Sequence, residues 1–283
     1  MTNQPSWSAA FSDEELASVE RIAPIEHMTR EWAWEGSTGA GVKVAVIDSG
    51  IDADHPAIGG RVEYVSVKER DGEIVFDEEP HGDDFGHGTA CAGIIRSLAP
   101  DCDLYSVKVL GPSLRGRGTV FTASIRWALD NGVDVCNLSL GTTKRDLFAT
   151  LHELVDEAYF RNVVLVAAAN NMPMPSYPSL YSSLVSVASH GRESPETYYY
   201  NPRPPVEFGA RGIDVRVAWQ NHGWITATGN SYAAPHISGL VTKLLAKHPG
   251  LTVFQVKAIL RALADNVVDG DGGQSSPAPT GGT

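Results

Sequence analysis

A hydroxyl becomes a useful nucleophile when an imidazole takes its proton and a carboxylate holds that imidazole. This sequence offers all three groups in settings that would hold them rigidly. Asp48 closes the apolar run Ala45-Val46-Ile47 just before Ser49 and Gly50. Ligands of open parallel sheets gather beyond the carboxyl ends of strands, so a carboxylate there faces a place where sites form. Nucleotide- and metal-binding sheets also end strands in Asp, and this segment alone does not separate those uses. His87 stands between Gly86 and Gly88, ahead of Thr89-Ala90-Cys91-Ala92-Gly93. Small residues there suit a tightly packed helix that leaves the ring facing a cleft, although a surface histidine before an ordinary helix has the same local pattern. Ser231 follows Gly229 and Asn230 and precedes Tyr232-Ala233-Ala234-Pro235-His236. A serine opening a helix sits in positive potential beside free N–H groups that can hold an oxyanion, but serine is used more often there as a plain N-cap. Pro235 is expected within the first turn, whose N–H groups have no helical partner.

Positioning three groups so far apart along the chain requires a scaffold with many strand ends on one side. From residue 42 onward, short β-branched runs alternate with longer helical periods, the arrangement of a parallel sheet covered by helices. The pattern predicts strands over 42–47, 103–109, 133–139, 163–168 and 184–188, mostly apolar throughout as central parallel strands are. It predicts helices over 88–97, 119–131, 147–161, 231–247 and 252–264. Residues 1–40 read as a lead-in that packs on a catalytic domain spanning 41–268, with a capping box at Ser12 to Glu15 opening a short helix at Leu16. Residues 269–283, rich in Gly, Pro and Ser, read as a disordered tail.

The order Asp, His, Ser, with glycine beside each, carries a resemblance. Asp48-Ser49-Gly50, His87-Gly88-Thr89 with Gly93, and Ser231-x-Ala233-x-Pro235 resemble the three motifs of the subtilases, in that family's chain order, and the similarity runs from about Glu31 to Asn266. The resemblance implies a three-layer α/β/α fold around a central, mostly parallel sheet and a serine endopeptidase working through an acyl-enzyme. Ser231 would then be the nucleophile, His87 the general base and Asp48 its orienting carboxylate. Asn171 would be the oxyanion donor, with Asn170, which stands where relatives carry glycine, as the weaker alternative. The resemblance further implies that Ser139-Leu140-Gly141 and the segment 113–118, with Arg115 and Gly116, clamp an extended peptide by β-augmentation, and that Gly141 lines the first specificity pocket. A catalytically silent subtilase used as a peptide-binding scaffold is the alternative from another class.

Departures from that family shape the remaining expectations. Between Gly93 and Val107 the chain lacks the Asn-rich insertion that wraps a calcium ion in secreted relatives, and Ala57 stands where they supply an aspartate. No metal at that site and no cofactor are therefore expected. The lead-in is too short for the family's inhibitory pro-domain, and the loop after Asn171 is shorter than usual. Asn230 replaces a threonine, and Cys91, four residues after His87, matches a subset similar to proteinase K, where a thiol lies beneath the histidine. His55, His222 and His236 lack metal-ligand spacing and read as structural.

Composition excludes some functions. A formal charge of −12 opposes sequence-independent nucleic-acid binding, which needs clustered cations facing phosphate. No apolar run approaches the roughly 18 residues of a membrane-spanning helix, so the expected partner is a peptide or protein substrate. With no basic and apolar leader, and three cysteines that cannot all pair together, the chain is expected in the cytoplasm. The acidic stretch 77–84 before His87 reads either as a solvated loop or as a cleft lining that favours basic side chains.

Overall fold

Alternate residues of a strand face opposite ways, and Lys43–Asp48 (β1) uses this to serve two cores. Val44 and Val46 join one hydrophobic cluster while Ala45 and Ile47 join the other. This is a computed structural model, and it describes residues 28–59 and 61–267. The helix expected at Leu16 and the tail expected over 269–283 lie outside the described residues.

In chain order, a short helix Arg30–Trp34 (α1) precedes β1, followed by Val62–Arg70 (β2), Glu73–Asp77 (β3), His87–Leu98 (α2), Asp103–Lys108 (β4), Gly118–Asp130 (α3) and Val135–Leu138 (β5). Then come Phe148–Phe160 (α4), Val164–Ala168 (β6), Val185–His190 (β7), Tyr198–Tyr200 (β8), Phe208–Arg211 (β9), Val215–Trp219 (β10), Gly223–Ala227 (β11), Asn230–Lys247 (α5) and Val253–Ala262 (α6). Nine strands form one sheet in the order β3-β2-β4-β1-β5-β6-β7-β9-β8. Only the edge strands β3 and β8 run antiparallel to their neighbours. Helices α1, α2, α5 and α6 cover one face and α3 and α4 the other, giving the three layers expected. A separate hairpin, β10 with β11, closes over Ala90 and Ile94 of α2.

The site-bearing strand β1 lies between β4 and β5, where the chain crosses from one half of the sheet to the other. Such a switch point leaves a crevice at the carboxyl ends of the strands. Two close approaches admit only glycine, the first at that crevice and the second at the other end of α2. A Cβ on Gly88 would lie 2.1 Å from the Gly50 carbonyl oxygen, so glycine lets α2 begin directly against the end of β1. In the middle of α5, a Cβ on Gly239 would lie 2.8 Å from Leu98, which fixes how closely α5 crosses α2.

All five predicted strands and all five predicted helices form, with ends differing by a residue or two. The sequence pattern misses α1 and the strands β2, β3 and β8 to β11. Strand β2 carries charged residues on its exposed side, and β8 is three residues long, so neither shows a clean apolar run. The lead-in is also more deeply built in than its name suggests over its described part: Ala33 and Trp34 are buried in the α5–α6 cluster, and Arg30 donates to the Leu263 carbonyl and pairs with Asp265. His55 is fully buried and bonds the Gly223 carbonyl, tying the hairpin down, while burial pushes His236 down to about 4 and keeps it neutral.

Candidate active site

The last residue of β1 and the first of α2 meet because Gly88 lets their backbones touch. The Asp48 carboxylate accepts the His87 Nδ1 proton at 2.8 and 2.9 Å from its two oxygens, and accepts the Ser49 N–H at 2.8 Å. Both side chains are buried. Burial alone pulls the imidazole pKa down, but the charge and hydrogen bond of Asp48 outweigh it, and His87 ends above its ordinary value. With Nδ1 spent on Asp48, Nε2 is the ring nitrogen left to exchange a proton.

An aspartate that the sequence pattern did not single out holds this corner. Asp83 accepts five hydrogen bonds: from the Ser49 hydroxyl and the N–H groups of Phe85 and Gly86 through Oδ1, and from the Thr89 N–H and hydroxyl through Oδ2. The N-cap position of α2 is Gly86, which has no side chain to offer, so Asp83 supplies the cap from three residues earlier. Its signal in the sequence is a carboxylate placed just ahead of a glycine-capped helix. Within the same stretch Asp84 pairs with Lys108 at 2.8 Å and Asp77 faces Lys68 at 3.9 Å. The two aspartates nearest His87 are thus engaged by the chain itself, while Glu78 and Glu79 are exposed.

Ser231 is the second residue of α5, and the ring of Tyr232 next to it lies 5.5 Å from the His87 ring. No hydrogen bond joins Ser231 Oγ to His87 in this state, an arrangement common when no substrate is present to tighten it. Pro235 lies beyond the first turn rather than inside it, which corrects the expectation above. A residue at 235 would normally donate its N–H to the Ser231 carbonyl, so proline leaves that carbonyl without its helical partner. The Ser139 hydroxyl fills the place, donating at 2.8 Å, and the Cys91 thiol contacts the same oxygen at 3.5 Å. Behind Ser139 the buried amide of Asn137 donates to its oxygen at 2.9 Å and accepts from Ser238 at 3.0 Å. A line of polar groups therefore ties the nucleophile's backbone to β5. Burial holds the Cys91 thiol well above its ordinary pKa, so it is a neutral donor rather than a thiolate. Among the described residues, Asp48, His87 and Cys91 are the one group of potential ligands that converge, and a protonated thiol beside a histidine committed to a carboxylate does not make a metal centre.

The two asparagines after β6 are placed differently. Asn170 turns back on itself, its Oδ1 accepting the Met172 N–H at 2.9 Å. Asn171 Oδ1 accepts the backbone N–H of Asn230 at 2.8 Å. A backbone N–H only donates, so the amide oxygen must face it; the amide as a whole lies beside Gly229, with Nδ2 3.5 Å and Ser231 Oγ 3.3 Å from where a Cβ on Gly229 would stand. Asn230 locks this junction: its side chain accepts from the Ser189 N–H and hydroxyl, and donates to the carbonyls of Ala169 and Asn170.

A cavity of about 170 Å³ beside Ser231 is lined by Ser139, Leu140, Gly141, Ala169, Asn171 and Ser176 among others. A model of the subtilase family matches residues 39–278. The chain belongs to the subtilase family. It is 32% identical over 253 residues to Subtilisin DY of Bacillus licheniformis, covering 83% of this chain and 88% of that protein. It is 33% identical over 260 residues to the minor extracellular protease Epr of Bacillus subtilis (strain 168), covering 87% of this chain but 38% of Epr. Among solved structures, a cold-adapted subtilisin-like serine proteinase matches with a TM-score of 0.66 and 28% identity over 80% of this chain and 83% of that one. This subtilase is accordingly a serine-type endopeptidase.

Of its segments expected to hold substrate, Leu140 and Gly141 line the Ser231 cavity, and Arg115 and Gly116 line a second cavity that shares those two residues. Ser139 lines the first cavity too, but its hydroxyl is turned inward to the Ser231 carbonyl, leaving its backbone for a peptide. Gly116 serves its own turn as well, since a Cβ there would lie 2.8 Å from the Val109 carbonyl oxygen.

Proposed function

We propose that this subtilase cuts peptide bonds with Ser231 as nucleophile, His87 as general base, Asp48 as its orienting carboxylate and Asn171 as oxyanion donor. The Ser231 hydroxyl attacks the scissile carbonyl as its proton passes to His87 Nε2. The resulting oxyanion is met by Asn171 Nδ2 and the Ser231 N–H at the start of α5. His87 then returns the proton to the departing amine, leaving an ester on Ser231, which water cleaves by the same route. Substrate lies as an extended strand along 139–141 and 115–116. The observation that carries the reading is the paired fixing of two groups: His87 by both oxygens of Asp48, and Asn171 by the N–H of Asn230.

Labelling by a fluorophosphonate tests it. The wild-type protein is expected to label at Ser231 and to cleave a casein substrate; Ser231→Ala is expected to do neither, with turnover lower by about 10⁶. Labelling that persists in Ser231→Ala would overturn the assignment. For Asn171→Ala the expected loss in kcat is about 10²–10³ with little change in KM.

The same proposal places the enzyme in a reducing compartment, as a processing or regulatory protease. Its support is the trio Cys91, Cys102 and Cys136, all unpaired and buried, with burial pushing Cys102 up to about 11. Fractionation of the native cells with an antibody to the chain is expected to find it with the soluble cytoplasmic proteins; recovery from the culture medium would overturn the placement.

A further inference from the structure

Beyond the Ser231 cavity the groove opens into the second one, of about 310 Å³. Its floor is apolar, with Val109, Leu110 and Phe121 buried and Leu114, Leu140 and Leu147 partly so. Its rim is cationic: Arg115, Arg117 and Lys144 line it, and no carboxylate does, in a chain whose formal charge is −12. Arg117 is already engaged by Glu69 at 2.5 Å. The exposed side chains of Arg115 and Lys144 have no ion pair or hydrogen bond among the described residues. Two unspent cations at the mouth of an apolar cavity suit one kind of occupant, an aliphatic stem ending in a carboxylate.

The chemistry fixes which half of a substrate passes over them. The departing amine takes its proton from His87, so the released half lies toward α2. The retained acyl half then lies over the Ser231 cavity and its continuation, neither of which is lined by a residue of α2. A strand advances about 3.3 Å per residue, so the second cavity meets a side chain a few residues before the cut.

We propose that Arg115 and Lys144 are specificity-determining residues that select peptides carrying glutamate upstream of the scissile bond, the stem resting on the Leu110–Leu140 floor and the carboxylate meeting the two cations. The inference rests on the endopeptidase reading of the Ser231 site and adds its substrate class. It is the opposite of the preference for basic side chains that the cleft-lining reading of the acidic stretch 77–84 would give.

The test is a set of internally quenched peptides, identical except for Glu, Gln or Lys placed in turn at each of the five positions before a fixed cut, with rates normalised to fluorophosphonate-titrated Ser231. Wild type is expected to prefer Glu over Gln at one position by about two- to fivefold in kcat/KM for each cation engaged, as exposed ion pairs give, and to disfavour Lys there. The preference is expected to shrink as salt is raised toward 1 M, where the Debye length falls to about 3 Å. Arg115→Glu combined with Lys144→Glu is expected to invert the order to Lys, Gln, Glu at that position alone. Equal rates for the three residues at every position, or a Glu preference that survives the double charge reversal, would overturn the inference while leaving the protease reading intact. Absence of both labelling and cleavage would overturn that reading and the inference with it.

Discussion

The two sides of the cleft use charge in opposite ways. On the side of α2, two carboxylates of 77–84 are engaged by the chain itself, Asp83 capping a helix and bracing Ser49 and Asp84 held by Lys108, while Glu78 and Glu79 stand exposed. On the side of 115–117 and Lys144, two of three cations have nothing to hold among the described residues. A count of charges along the sequence points to an anionic cleft, whereas the folded arrangement leaves cations facing the groove. Charge bears on a substrate only where the fold has not already used it.

Of the two sides, the α2 side gives the larger expected effect, through the pair on which it converges. Asp48→Asn removes the acceptor that fixes the His87 tautomer, with an expected loss of about 10⁴ in kcat. A pH profile sharpens this further. His87 must be neutral to take a proton, and Asp48 holds its pKa above the ordinary 6.5, so wild-type kcat/KM is expected to fall on acidification at a pH above that value. In Asp48→Asn the raising charge is gone while burial remains, so the acid limb of the residual activity is expected to move to lower pH. An unmoved limb would show that another group controls it.

Asp83→Ala comes next. It leaves the first turn of α2 and the Ser49 hydroxyl without their acceptor, and charged hydrogen bonds of this kind contribute about 1.5–3 kcal/mol apiece, not additively. The expected outcome is a loss of at least about 3 kcal/mol in urea unfolding together with a drop in kcat, whereas Asp84→Asn, which frees one end of a half-exposed pair and leaves Lys108 its bond to the Gly82 carbonyl, is expected to change stability by about 1 kcal/mol. Equal effects from the two would erase the contrast between structural and superficial acids. Ser139→Ala is expected to be smaller than Asp83→Ala. It leaves the Ser231 carbonyl with the weaker thiol alone, for about 1–2 kcal/mol of stability and a reduced kcat at unchanged KM. Ser139→Thr, which keeps the hydroxyl, is expected to restore part of that kcat.

How much of this was legible beforehand follows from where the information sits. The five central strands and five long helices announce themselves because each buries a run of apolar residues with a clear period. The edge strands do not, since β2 is half solvated and β8 is three residues long. Among site residues, Asp48, His87 and Ser231 stand out because a strand end, glycines and a helix start mark them, whereas Asn171 stands out only through the resemblance to the subtilases. Asn137 and Ser238 were not legible, since their pairing spans 101 residues and no local pattern encodes it; Asp83 leaves only the faint local mark of a carboxylate ahead of a glycine-capped helix, and its bond to Ser49 crosses 34 residues. Pro235 falls outside the first turn because the helix begins at 230, and what makes it tolerable there is Ser139, 92 residues before Ser231, which takes the vacated carbonyl.

That vacated carbonyl has a mechanical consequence. A helix of 18 residues flexes along its axis, and a serine bonded wholly within it would follow every such excursion. Here the proline uncouples one rung of the ladder and a hydroxyl just past β5 takes it over, so the backbone of the reacting residue is moored at a strand end as well as within its helix. The imidazole is moored in the same way, through Asp48 at the end of β1, so both partners in the proton transfer are tied to neighbouring strands of one sheet.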